Sequence, residues 1–166
     1  MTRGKRLAAA GLLALGLGPA AAHEKREGGR ASRSLCAPGE AALFACPIGS
    51  KLVSICGRAG GAVYRFGRPA RVELEAGGLR FAERAFSGGG ETQVSFEREG
   101  SRYIVYDRLV RTAFGGDGRH DAQASAGVLV RKAGKTILDA QCVGSSGGGM
   151  DSALAKYIPP GHFIER

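Results

Sequence analysis

The chain has no apolar run long enough to cross a bilayer. Its longest, Leu7 to Leu17, covers about eleven residues where a spanning helix takes ~20, so the protein is not expected to span a membrane. Histidine is scarce: His23, His120 and His162 are the only three, and a Ser-His-Asp site would have to borrow one of the last two. There is no Gly-x-Ser-x-Gly elbow, and Ser145 and Ser146 lie in a glycine-rich stretch that reads as linker. The four cysteines, Cys36, Cys46, Cys56 and Cys142, include none of the close pairs from which zinc sites are built, so no metal is expected. Ser87-Gly-Gly-Gly90 lacks the Gly-Lys-Ser/Thr of a phosphate-cradling loop. Asp117-Gly-Arg-His-Asp121 lacks the ligand count and terminal glutamate of an EF-hand. No repeat at a solenoid or propeller period is visible. These absences leave no catalytic residue to name and no cofactor to expect, and they point to a non-enzymatic protein. A hydrolase using His120 with Asp117 or Asp121 is the minor alternative.

What is present begins with an address. Basic Met1-Thr-Arg-Gly-Lys-Arg6, the short apolar run and Pro19-Ala-Ala-Ala22 form the three-part pattern of a secretory signal peptide, with cleavage expected before His23. The expected destination is the periplasm or the medium, and the absence of cysteine at the junction argues against a lipid anchor. Removing residues 1–22 takes Arg3, Lys5 and Arg6 and no acid, lowering the formal charge from +9 to +6. Export makes all four cysteines candidates for two disulfides. Three pairings are open, and a bridge to Cys142 would close a loop of about a hundred residues, stabilising by ~4 kcal/mol or more on the chain-entropy account.

His23 to Arg33 has no apolar side chain larger than alanine, and residues 23–34 are expected to be a disordered arm. Residues 35–142 read as a single β domain. Four successive hairpins are expected: Ala41–Cys46 with Lys51–Cys56, Gly61–Phe66 with Ala70–Glu75, Gln93–Arg98 with Arg102–Asp107, and Gly127–Arg131 with Lys135–Ala140. Helix competes for Glu40 to Cys46. In the second hairpin Val72 and Leu74 alternate with Arg71, Glu73 and Glu75, the mark of an antiparallel sheet packed on one side. Leu79 to Phe86 is ambiguous between strand and helical turn, Leu109 to Phe114 can prolong the preceding strand, and Gly115 to Ser125 reads as a long polar loop. The fold class is therefore all-β: an antiparallel β-sandwich or small barrel of about eight strands. Residues 143–166 read as a Gly/Ser linker and a short C-terminal helix, capped by Asp151, with Leu154 and Ile158 one turn apart and Pro159-Pro160-Gly161 as the stop.

Arginine recurs through the strands and turns, at Arg65, Arg68, Arg71, Arg80, Arg84, Arg98, Arg102, Arg108 and Arg111. Sharing a face, several of these would bind anionic cell-envelope components by forked hydrogen bonds. Tyr64, Phe66, Phe96, Tyr103 and Tyr106 fall at strand positions where core packing accounts for them, so no specific nucleic-acid binding is expected.

Cys46, Cys56 and Tyr64-Arg65-Phe66-Gly67 resemble a pattern in uncharacterised small exported bacterial proteins. Gly100-Ser101-Arg102-Tyr103, set in a cysteine-bearing β domain, is similar to the end of the contact loop of the periplasmic lysozyme inhibitors. That resemblance implies inhibition of a lysozyme-type hydrolase, with Ser101, Arg102 and Tyr103 as contact residues. The expectation is thus an exported binding domain whose partner is a protein or a cell-envelope component.

Overall fold

A computed structural model describes residue 1 and residues 34–114, 120–143 and 149–166. Two antiparallel meanders make up the fold. β1 (Ala41–Ile48), β2 (Lys51–Arg58), β3 (Gly61–Arg68) and β4 (Arg71–Ala76) form a four-stranded sheet in that order. β5 (Arg80–Phe86), β6 (Gly89–Arg98), β7 (Ser101–Phe114), β8 (His120–Lys132) and β9 (Lys135–Gln141) form a five-stranded one. A single turn of helix, α1 (Leu154–Tyr157), follows. The all-β sandwich expected from the sequence is the architecture found, without barrel closure and with nine strands.

Two open points of the sequence reading are settled and two expectations are corrected. Ala41 to Cys46 is strand, paired from Ala41↔Gly57 to Cys46↔Val53. Leu79–Phe86 resolves as the edge strand β5, Arg80 pairing with Ser95. From His120 to Ser125 the expected loop is strand, because β7 and β8 stay in register through Leu109↔Ala124, Val110↔Gln123 and Arg111↔Ala122. Arg111, Thr112 and residues Asp121 to Gln123 are exposed there, so no buried face imprints alternation on the sequence. Asp151 is not the helix cap: Ala153 holds that position. The Asp151 carboxylate accepts from the Ala153 N–H (2.8 Å) and its carbonyl from the Leu154 N–H (3.0 Å), closing the turn just ahead. The expected signal peptide after Met1, the expected arm to Arg33 and the Gly/Ser segment 144–148 lie outside the described residues, as do Asp117 to Arg119.

The core lies between the sheets. Val53, Ile55 and Tyr64 from one sheet meet Val94, Phe96, Val105, Val128 and Val130 from the other, and Leu154 and Ile158 of the C-terminal segment join them. Leu43 and Phe44 are adjacent yet both buried, because Leu43 is the extra residue of a bulge between Ala42↔Cys56 and Phe44↔Ile55.

Covalent and polar clamps fasten the terminal segments to the sheets. The pairings are Cys36–Cys56 and Cys46–Cys142. The first holds the N-terminal segment over β2, where the Leu35 N–H donates to the buried Ser54 hydroxyl (2.9 Å). The second ties β1 to the end of β9. On the five-stranded sheet the C-terminal residues form a strap: the Gln93 carboxamide donates to the Ile164 carbonyl (2.9 Å) and accepts from its N–H (3.0 Å). Phe81 brackets the start of the strap, donating to the Pro159 carbonyl (3.0 Å) and accepting from the Gly161 N–H (2.7 Å).

Candidate functional site

Ser101, Arg102 and Tyr103 do not share a face. The turn before them is a two-residue loop, Glu99 (φ 52°) and Gly100 (φ 71°), the left-handed pair of a type I′ hairpin. Ser101 therefore belongs to β7, paired with Arg98 and Lys132, and is buried. Arg102 points outward and donates from Nε to Glu97 Oε1 (3.0 Å), its cross-strand partner. Tyr103 turns the opposite way and stacks on Phe96 at 4.8 Å between centroids and 6° between planes.

The recurring arginines are largely engaged with acids and rings. Arg65 is buried and holds four groups: both Glu40 carboxylate oxygens, Glu75 Oε2 (2.8 Å from Nε) and the Leu35 carbonyl (3.1 Å). That guanidinium holds the Glu40 carboxyl below the ordinary glutamate range. Arg84 pairs with Glu165 and lies over Phe163, while Arg108 and Arg166 both reach the buried Glu91. Among the described residues, Arg58, Arg68, Arg71, Arg80, Arg111 and Arg131 make no side-chain ion pair; each lies on a different strand, with Arg68 and Arg71 facing each other across the β3–β4 turn.

Metal chemistry finds no donors in the tightest cluster. Cys36, Glu40 and Cys56 come together, but the two sulfurs are bonded to each other and Glu40 is committed to Arg65. Thiolate, not disulfide sulfur, ligates metals. Of the Asp117–Asp121 group, only Asp121, exposed in β8, has a described side chain.

The feature that stands apart is an apolar cleft of about 310 Å³ between the sheets. Ile48, Val53, Phe66 and Leu74 line one wall, and Val128, Val130, Leu138 and Ala140 the other; Tyr64 and Tyr103 complete it. Two bulges shape it. In β4, Glu73 is the extra residue between Phe66↔Leu74 and Gly67↔Val72. In β9, Ile137 is the extra residue between Val130↔Leu138 and Arg131↔Thr136. Each bulge lies on the edge strand of its sheet and beside a cleft-lining leucine, and a bulge bends its strand away from flat pairing. The bulge also lets the consecutive Ile137 and Leu138 both line the cleft while staying half exposed, 59% and 48%. Val72, at the far side of the other bulge, is exposed too (43%), contrary to its expected place on the packed face.

Tyr64 is the one deeply buried polar side chain in the cleft wall, 2% exposed. Its ring lies 4.8 Å from Phe96, and burial pushes its phenol above the ordinary tyrosine range. No hydrogen bond to its hydroxyl is found among the described residues, and the hydroxyl is not fully buried: the fully buried unpaired side-chain polar atom there is Arg131 Nε. The arrangement has hydrophobic walls and two phenols, Tyr64 and Tyr103, as its hydrogen-bonding groups, which suits holding an apolar molecule.

Sequence reasoning placed Tyr103 and Tyr64 on strands but did not join them to a site. The available signal was Ile137-Leu138: two large apolar neighbours break the one-face alternation of their strand. Comparison with protein-family models, with curated proteins and with solved structures finds no match to this chain. Among the described residues no helix is long and apolar enough to cross a membrane.

Proposed function

We propose that this chain is an exported, non-enzymatic binding domain that takes an apolar ligand from the cell envelope into the cleft between its sheets. The observation that carries the reading is the 310 Å³ cleft, walled by apolar and aromatic side chains from both sheets and rimmed by exposed Ile137 and Leu138. Its volume is at the lower end of the ~300–1,000 Å³ common for small-molecule sites. Export to the periplasm or medium is supported by the N-terminal leader pattern and by two disulfides, which persist in oxidising compartments. A neutral environment-sensitive dye, N-phenyl-1-naphthylamine, tests the reading. Its fluorescence is expected to rise with saturation on adding protein, and Ile137→Glu is expected to abolish the rise. No saturable signal with folded protein overturns the reading.

A protein-facing reading rests on the β6–β7 hairpin. Its two-residue tip, Glu99 and Gly100, is flanked by exposed Glu97, Arg98 and Arg102, a polar projection suited to a hydrolase cleft. Inhibition of a lysozyme-type enzyme through this hairpin, with Arg102 as the exposed member of the expected contact set Ser101, Arg102 and Tyr103, is tested by turbidity assays of cell-wall lysis. Equal lysis with and without excess protein removes it.

A further inference from the structure

Resting on the cleft reading, we propose that the ligand is a single-chain anionic amphiphile: an acyl chain lies in the cleft and its carboxylate or phosphate head sits on Lys51, Arg68 and Arg71. The three cations gather where the β1–β2 and β3–β4 turns meet. Lys51 pairs with Ile48, a cleft residue, in the β1–β2 register. Its ammonium lies 5.1 Å from the centroid of Phe66, another cleft residue, and 2.5 Å from Glu73 in the β4 bulge. Arg68 and Arg71 face each other across the β3–β4 turn, both exposed, and Arg68 donates to the Ser50 hydroxyl (3.3 Å).

Glu73 is the acid within this group, and Lys51, Arg68 and Arg71 together hold its carboxyl below the ordinary range. Three cations against one carboxylate leave a surplus of two positive charges beside Phe66, at the edge of an uncharged cleft. That pairing of grease with adjacent positive charge is the complement of a fatty tail with an anionic head. Guanidinium groups take carboxylate and phosphate alike by forked hydrogen bonds, so the head chemistry is shared between free fatty acids and single-chain phosphate lipids. Among the other described arginines, Arg84, Arg98, Arg102, Arg108 and Arg166 are engaged by acids.

The test is displacement of bound N-phenyl-1-naphthylamine by twelve-carbon chains below their micellar concentrations: dodecanoate, dodecyl phosphate, dodecanol and dodecyltrimethylammonium. Either anion is expected to displace at least about tenfold more tightly than the alcohol or the cation, and whichever anion is tighter names the source. From octanoate to dodecanoate, affinity is expected to rise about fourfold per methylene. Arg68→Glu/Arg71→Glu, exposed and distant from the core, is expected to erase the anion preference while leaving dye binding intact. Binding of the dye with equal displacement by all four amphiphiles overturns this proposal and leaves the cleft reading standing. Failure of the dye to bind at all removes both.

Discussion

Cys46 in β1 is bonded to Cys142, the residue after β9, so one covalent link joins the first strand of one sheet to the last strand of the other across 96 residues of sequence. Beside it the Val143 N–H donates to the Pro47 carbonyl (2.9 Å). Cys36–Cys56 spans only 20 residues. On the chain-entropy account the longer loop contributes about 4.7 kcal/mol and the shorter about 3 kcal/mol. Cys46→Ala/Cys142→Ala is therefore expected to lower the urea midpoint more than Cys36→Ala/Cys56→Ala. The reverse order would show that closing the long loop is not the main contribution.

Arg65 joins the segment before β1 to β3 and β4 through Glu40, Glu75 and Leu35. Lysine offers one ammonium in place of a planar fork and cannot hold all three. Arg65→Lys is expected to cost about 2 kcal/mol, because one ammonium leaves part of the hydrogen bonding at Glu40, Glu75 and Leu35 unmade. Thermal unfolding followed by circular dichroism measures this. A change within the error of wild type would contradict it.

The same pair sets an acid limit. Glu40 is held below its ordinary range in the folded state by the Arg65 hydrogen bond. Its stabilisation is thus complete above the unfolded value of ~4.3 and is lost as pH falls through the lower folded value. The melting temperature of wild type is expected to drop below about pH 4.3. Glu40→Gln is expected to start lower at pH 7 and lose less on acidification. Parallel curves for the two proteins would rule out this role.

Two type I′ turns carry a residue that pays a steric penalty: Glu99 at φ 52° and Ala133 at φ 46°. Left-handed backbone costs L-residues other than Gly, Asn and Asp roughly 1 kcal/mol. Ala133→Asn, at the exposed β8–β9 tip, is expected to raise the melting temperature by a few degrees. No rise, or a fall, would mean that the turn is held by contacts which asparagine disrupts.

Legibility in the sequence followed burial. Gln93–Arg98 and Arg102–Asp107 read as a hairpin because one face packs on the core, placing Val94, Phe96, Tyr103 and Val105 at alternate positions. Where β7 and β8 run past the core the same pairing continues with wet residues, and the sequence there looks like a loop. The disulfide partners were hidden for another reason: Cys46 and Cys142 meet only once both sheets are stacked. The cleft was the least legible feature. Its walls come from strands between Ile48 and Ala140, and it depends on bulges at Glu73 and Ile137 that shift the inward phase of two edge strands. Ser101, Arg102 and Tyr103 were read as one contact run, whereas strand alternation sends Arg102 and Tyr103 to opposite faces.

The central claim, that an acyl chain occupies the cleft, is tested most directly by ring-labelled tyrosine NMR during titration with dodecanoate. The chain has four tyrosines, of which Tyr64 and Tyr103 line the cleft while Tyr106 and Tyr157 do not. Saturable shifts of the Tyr64 and Tyr103 resonances, with Tyr157 unmoved, are the expected result. Unchanged Tyr64 and Tyr103 resonances at saturating dodecanoate would contradict the account.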